Sequence, residues 1–170
     1  MTKTQWIGVT GAAGFIGSQV ALALQKKHGS ASLLLVDHPL TDGKSANMLP
    51  LKGTRFLDHQ EFIKALENNE LAPDVVIHMG ACSDTTEQNW PYLLENNLQY
   101  SQRIWTWCAK QKAQLIYASS AATYGDGNLG FDDAMDITQL KPLNLYGQSK
   151  QDFDCWVEKQ VKQGTQQPRQ

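Results

Sequence analysis

Short runs of consecutive apolar residues alternate along this chain with stretches whose apolar positions recur at helical spacing. Gln5 to Thr10 is the first apolar run and ends at a glycine cluster, after which Ile16, Val20, Leu22 and Leu24 predict a helix over Ile16 to Lys27. Ser32 to Val36, closed by Asp37, predicts a second strand, and Thr54 to Leu57 a third, followed by a helix from His59 to Asn68. Asp74 to His78 and Gln114 to Ala118 are two further apolar runs of strand length. A long helix over Trp90 to Lys112 separates them, with Pro91 in its first turn, where a missing N–H costs nothing. Gly125 to Asp136 is polar and glycine-rich, hence a surface loop, and a last helix runs from near Leu143 or Tyr146 to Lys162. Strands apolar on both faces and joined by helices require a parallel sheet with right-handed crossovers. The expected fold is therefore α/β, a doubly wound sheet of five parallel strands in the order 3-2-1-4-5.

Composition fits one such domain. The chain has 170 residues, 41% of them apolar, and its 15 Lys+Arg against 17 Asp+Glu leave a formal charge of −2. A core at this length forms one compact domain, expected over residues 1–162, with a polar tail at 163–170 that frays. No apolar run approaches the ~20 residues that cross a bilayer, and the N-terminus lacks the basic, apolar and small-residue succession of a signal peptide. A soluble cytoplasmic protein is expected, with no membrane contact. Near-neutral charge without a Lys/Arg stripe argues against nucleic acid as a partner. Cys82, Cys108 and Cys155 are odd in number, with no Cys-x-x-Cys pair, so neither a disulfide framework nor a metal site is expected; Cys108 reads as buried helix filler.

The glycines carry the first candidate chemistry. Gly11-Ala-Ala-Gly14-Phe-Ile-Gly17 lies where the first strand gives way to the first helix. Gly11 permits a sharp turn, Gly14 lets backbone approach a pyrophosphate, and Gly17 lets the helix pack closely on the strand. The helix N-terminus adds free N–H donors for phosphate. Asp37 ends the second strand twenty positions after Gly17, where a carboxylate accepts hydrogen bonds from an adenosine ribose. That Asp favours NAD, whereas Lys44 in the next loop offers a partner for a 2′-phosphate, so these residues leave NAD and NADP both open.

The second candidate site is Tyr146-Gly-Gln-Ser-Lys150, which puts a phenol and an ammonium four residues apart on one helix face. A free tyrosine titrates near pH ~10, and a neighbouring cation favours its phenolate, making Tyr146 a proton-transfer group. Lys150 is also placed to hold a nicotinamide ribose. Ser119-Ser120 follow the fifth strand at its carboxyl end, where open parallel sheets bind ligands, and the Ser120 hydroxyl can polarise a substrate oxygen. Gly80-Ala-Cys-Ser83 follow the fourth strand in the same way. Thr85 and Thr86 either reach a substrate or cap a helix carrying Glu87.

With these motifs in one order, the chain resembles the extended short-chain dehydrogenase/reductases and, within them, the ADP-L-glycero-D-manno-heptose 6-epimerases. The resemblance is carried by Val9 to Ser18, Gly80-Ala-Cys-Ser-Asp-Thr-Thr-Glu87, Glu95-Asn-Asn97 with Gln99-Tyr-Ser101, Tyr117 to Gly125, and Lys141 to Lys150. It implies an isomerase of lipopolysaccharide core precursor synthesis. Such an enzyme interconverts ADP-D-glycero- and ADP-L-glycero-D-manno-heptose through transient oxidation at C6 by bound NADP. It further implies that Phe15, Ile16, Asp37, His38, Lys44, Met79, Gly80, Ala81, Cys82, Ser83, Asn96 and Lys150 touch cofactor, while Ser120 and Tyr146 serve the chemistry. His59 stands where the family has a second cofactor-binding lysine. Family members are homo-oligomers whose long helices, here Trp90 to Lys112 and Leu143 to Lys162, pack between subunits. They are about twice this length, so the resemblance implies a chain truncated before the sixth strand and the substrate domain, which would carry the second acid/base residue. The fifth strand would then present an unpaired apolar edge. The competing expectations are a non-catalytic dinucleotide-binding module and a related sugar-nucleotide epimerase or dehydratase.

Overall fold

The structure, a computed structural model, describes residues 5–169. Met1 to Thr4 and Gln170, which belong to the expected domain and tail, lie outside the described residues. The chain groups into two compact units, one made of the segment ending at Gly80 with Trp105–Tyr117 and the chain from Pro168, the other of Ala81–Ile104 with Ala118–Gln167.

The first unit holds the entire sheet. Its strands are β1 (Ile7–Thr10), β2 (Leu33–Asp37), β3 (Arg55–Asp58), β4 (Val75–His78) and β5 (Gln114–Tyr117), and they pair in the order β3-β2-β1-β4-β5. Every pairing is parallel, with Ile7 opposite Leu33 and Val75, and Asp37 opposite Asp58. This is the expected doubly wound sheet. The crossovers within it are α1 (Phe15–His28), α2 (Asp42–Met48) and α3 (His59–Glu67). Side chains alternate across a strand, so Ile7, Val9, Leu33 and Leu35 face one way and join Ala21 of α1 in a buried cluster. Gly8 faces the other way, and a Cβ built there would come within 3.3 Å of the Phe62 ring on α3.

α2 was not predicted, because Gly43 and the lack of an apolar period hide it. In the polar tail, Arg169 lies beside β5, where its N–H donates to the Ala113 carbonyl at 2.9 Å and it forms a parallel bridge to Gln114. The β5 edge is thus partly engaged, although Ile116 remains 57% exposed.

The expected helix over Trp90 to Lys112 is present but not uniform. It begins as α4 (Trp90–Leu93), widens into a π-helical segment (Leu94–Gln99), and resumes as α5 (Tyr100–Gln111). In the second unit, α6 (Leu145–Lys162) packs on the π-helical segment, on α4 and on two single-turn 3-10 segments, Ala121–Tyr124 and Ile137–Gln139. No helix carries Glu87. Thr86 instead donates its N–H and hydroxyl to Asp84 at 2.8 and 2.6 Å, and these two bonds hold the Asp84 carboxyl below the usual range.

Cys108 is fully buried on α5, and burial pushes its thiol up to about 12. A thiolate is the reactive form. At about pH 8, Cys108 is therefore expected to resist a disulfide exchange reagent until the chain unfolds, while the partly exposed Cys82 reacts in the native protein and Cys155, whose thiol is pushed up by burial and by Asp152 and Asp154, reacts more slowly than Cys82. Three fast-reacting thiols in the folded chain would contradict this placement.

Candidate functional site

In the first unit, the residues between β1 and α1 form a turn held from several sides. Gly11 sits at φ +67°, a left-handed conformation, and a Cβ there would lie 2.8 Å from the Gly80 nitrogen. A Cβ on Gly17 would lie 2.0 Å from the Gly11 carbonyl oxygen, so helix and turn touch where no side chain fits. Gly14 is the N-cap of α1, and the only atom near its missing Cβ is the Gly11 oxygen at 3.2 Å. The sequence assigned Gly17 to packing on the strand; the close approach is to the turn itself.

The backbone N–H groups of this turn are partitioned. Ala12 donates to the Val36 carbonyl at 3.1 Å, Ala13 to Asp37 Oδ2 at 2.9 Å, and Gly14 to the Gly11 carbonyl at 3.0 Å. Those of Phe15, Ile16 and Gly17 open the first turn of α1 and have no helical acceptor. They are the donors a phosphate would take. Phe15 and Ile16 are 82% and 59% exposed, which is unusual for large apolar side chains and leaves them free to cover a ligand.

Asp37 is buried and heavily used. Oδ2 accepts from Ala13, while Oδ1 accepts from the His38 N–H at 2.8 Å and from Lys44 Nζ at 2.7 Å. It thus fixes the glycine turn from the end of β2, and Lys44, from α2, balances its charge. Asn47 adds a bond to the Ala13 carbonyl at 2.9 Å. Under the turn, the Thr10 hydroxyl accepts from the Gly80 N–H at 3.0 Å and meets His78 Nδ1 at 2.6 Å. The Thr10 hydroxyl thus links the Gly80 backbone to the His78 ring at the end of β4. Met79 and Gly80 are half-buried here. His38 lies with its ring 3.8 Å from that of His59, the first residue of α3. Thr10 and Asn47 were not singled out by sequence, and His38 and His59 were named there only separately, through the family resemblance; strand register brings the two rings together.

In the second unit, three features surround the start of α6. Asn144 caps the helix, accepting the Gly147 N–H at 2.7 Å. A Cβ on Gly147 would meet the Ala122 carbonyl oxygen at 2.9 Å and Pro142 Cβ at 3.0 Å, so this glycine brings the helix close to the 3-10 turn that Ser120 caps. The Ser120 hydroxyl oxygen accepts from the Ala122 N–H at 3.1 Å, which leaves its own proton to donate. Lys150 is 7% exposed and donates from Nζ to the Ala118 carbonyl at 2.8 Å. Burial pushes its ammonium below the ordinary lysine range, and the Asp154 carboxylate pulls the other way. Asp154 in turn accepts the Ser119 hydroxyl. Tyr146 is half-buried one turn before Lys150 on the same helix face.

Asn97 ties this unit together. Fully buried in the π-helical segment, it accepts the Cys82 N–H on Oδ1 at 2.8 Å and donates from Nδ2 to the Cys82 carbonyl and to Ser149 Oγ, at 3.0 and 2.9 Å. Ser149 passes its own proton to the Tyr146 carbonyl at 2.7 Å. Asn96 spends its amide on the Tyr92 carbonyl at 2.9 Å. Ala81 and Cys82 are half-buried and Ser83 is exposed. Among the described residues no group of His, Cys, Asp or Glu could hold a metal ion, and no helix is long and apolar enough to cross a membrane.

Comparison with known proteins bears on the family and the fold. Residues 7–168 match the NAD dependent epimerase/dehydratase family. An ADP-L-glycero-D-manno-heptose-6-epimerase of Nitratidesulfovibrio vulgaris is 45% identical over 152 residues, covering 88% of this chain and 47% of that protein. The crystal structure of the Helicobacter pylori enzyme of the same name superposes with a TM-score of 0.79 at 29% identity, covering 92% of this chain and 50% of its own. A UDP-glucuronic acid 4-epimerase from Bacillus cereus, solved in complex with NAD, gives 0.75 at 27% identity, with 93% and 53% covered. The chain spans about half the length of the curated relatives it matches.

Proposed function

The chain belongs to the NAD dependent epimerase/dehydratase family, and from that premise we propose that it acts in ADP-L-glycero-D-manno-heptose 6-epimerisation, with NADP as its dinucleotide. The observation that carries this reading is the 45% identity to a heptose 6-epimerase over 88% of the chain. The glycine turn supports the cofactor part, because its backbone excludes side chains at Gly11 and Gly17 and leaves the N–H groups of Phe15, Ile16 and Gly17 unspent.

The residues that would hold the dinucleotide are the cradle glycines, Phe15, Ile16, Asp37, His38 and Lys44, the stretch Met79 to Ser83, Asn96 and Lys150. When bound, NADP supplies reversible hydride acceptance at the carbon being inverted. The rest is the work of side chains. Tyr146 takes or returns the proton of the C6 hydroxyl on one face, and a second acid/base residue, which the family resemblance assigns to the length this chain does not span, would serve the other. Lys150, held by the Ala118 carbonyl, sets its side-chain nitrogen one helical turn from Tyr146 on the same face, where it is placed to hold the nicotinamide ribose. Ser120, its oxygen occupied by the Ala122 N–H, donates to the substrate oxygen. Net redox is zero. The substrate is a nucleotide sugar, the site of action the cytoplasm, and the working assembly a homo-oligomer, as the family resemblance implies.

The test is titration of the purified chain with NADP and NAD by calorimetry, with turnover of ADP-heptose measured in the same preparation. Tyr146→Phe is expected to lower turnover by about 10²- to 10⁴-fold while leaving the dissociation constant for NADP within about twofold. Loss of binding with chemistry intact would overturn the role given to Tyr146. Binding without turnover by the unsubstituted chain would mean a folded cofactor half awaiting the substrate domain, and no binding by a folded chain would favour the non-catalytic reading.

A further inference from the structure

The carboxyl ends of β2 and β3 collect charges of both signs in a small area. The register sets Asp37 opposite Asp58. The residue after each aspartate is a histidine, and the two rings lie against each other with centroids 3.8 Å apart and planes tilted by 40°. Lys44 joins from α2 through its ion pair with Asp37. His59 Nδ1 lies 3.2 Å from Asp58 Oδ2, and its Nε2 lies 3.1 Å from the side-chain nitrogen of Gln60. With Nδ1–H donated to Asp58, a neutral His59 accepts from Gln60 at Nε2.

Protonation changes both the hydrogen bonding and the sign of the patch. Two carboxylates and one ammonium sum to −1, one imidazolium brings the patch to zero, and a second makes it positive. At Nε2 of His59, an added proton turns an acceptor into a donor that faces the Gln60 amide nitrogen, and the bond holds only if the amide turns over or an anion arrives. The adjacent rings discourage simultaneous charging, since like charges at this separation repel. His38 is held below the ordinary histidine range, first by its own burial and then by His59 and Lys44, with Asp37 and Asp58 opposing. The Asp58 carboxyl, despite its partial burial, is held down by the Gln60 N–H and by His59.

We propose that the adjacent pair His38 and His59 reads the 2′ substituent of the adenosine ribose, admitting a 2′-phosphate when protonated and a 2′-hydroxyl when neutral. This rests on the reading of the glycine turn as a dinucleotide cradle. A ribose that reaches Asp37 sets its 2′ oxygen beside the residue that follows Asp37 and the lysine paired with it. A phosphate monoester there brings close to two negative charges at neutral pH. Lys44 is already neutralised by Asp37, so the additional positive charge must come from the imidazoles. A 2′-hydroxyl needs only the carboxylate and is indifferent to them. The pair thereby makes the choice between the two dinucleotides depend on pH in the interval where histidine titrates.

The test is calorimetric titration of the 170-residue chain with NADP and with NAD at about pH 6.5 and about pH 8.5, on either side of the histidine range once phosphate contact raises it. The expected result is a preference for NADP over NAD that falls by about tenfold between the two, the worth of one charge-assisted hydrogen bond. The phosphate itself titrates near pH ~6, so the same pair of titrations on His38→Asn/His59→Gln carries that contribution alone. The double variant is expected to show a preference nearly independent of pH, and His59→Lys a high preference for NADP at both values. As a check on folding, proton NMR of the unsubstituted chain follows both imidazoles directly: NADP is expected to raise their titration midpoints and NAD to leave them. Binding of both dinucleotides with a pH-independent preference, or imidazoles whose midpoints NADP does not move, would overturn the inference and leave the cradle standing. Binding of neither by a folded chain would overturn the cradle reading and this inference with it.

Discussion

Gly17→Ala is expected to destabilise the protein by about 3 kcal/mol and to remove dinucleotide binding, although alanine is the better helix former by about 1 kcal/mol. The added Cβ would stand 2.0 Å from the Gly11 oxygen, 2.7 Å from its carbonyl carbon and 3.2 Å from Ala12 Cα. All three are backbone atoms, so no side chain can swing aside. The turn must open, and with it go the Gly14 bond to Gly11 and the Ala13 bond to Asp37. Propensity therefore loses to overpacking. Gly14→Ala is the control, because its Cβ meets only the Gly11 oxygen, at 3.2 Å. That variant is expected to stay within about 1 kcal/mol of the parent in urea unfolding yet to bind dinucleotide poorly, its methyl group standing where the pyrophosphate approaches. A Gly17→Ala chain that unfolds at the parent's urea midpoint and binds NADP as tightly would refute the account of the turn.

The second large effect is expected at Asn97. Its amide is fully buried and makes three hydrogen bonds, two to the Cys82 backbone and one to Ser149. Asn97→Ala leaves a buried N–H, a carbonyl and a hydroxyl without this partner, at about 1 kcal/mol each, and adds a cavity, so a loss of about 3 to 4 kcal/mol is expected in thermal or urea unfolding. Asn97→Asp keeps an acceptor for the Cys82 N–H but places a carboxylate against the Cys82 carbonyl, and is expected to rescue little at neutral pH. Asn96→Ala, whose amide reaches only the Tyr92 carbonyl, is expected to cost under about 1 kcal/mol. Equal costs at the two positions would show that Asn97 does not anchor the Cys82 segment.

The contrast between these neighbours explains what sequence could and could not read. Period and run length identified all five strands and their order, because β1, β2 and β4 are buried apolar runs separated by helical patterns. A helix period read across Glu95-Asn-Asn97 assumes 3.6 residues per turn. The π-helical segment inserts a wider turn there and rotates the following residues, so which asparagine points inward is decided by backbone packing. α2 has no apolar period, and only the tertiary bonds of Lys44 and Asn47 give it a visible purpose. The glycine turn and Asp37 were legible because their spacing follows from local geometry. His38 with His59, and Thr10 with His78, were not, since each pair forms only once strands lie side by side in register.

The place of β1 in the middle of the sheet bears on how the chain is made. β1 is made before the other four strands of this sheet, and β2, its partner on one side, follows after α1 and a short 3-10 turn. Its other partner, β4, appears only after β3 and α3 have been synthesised. Until then the nascent sheet has one completed side and, along Ile7 to Thr10, an open apolar border with unsatisfied backbone groups, the kind of surface that recruits stray strands. Pairing β1 with β4 also closes a long loop and is entropically slow. The interval from the pairing of β1 with β2 to the docking of β4 is therefore the period of greatest exposure to aggregation, when a chaperone would matter most.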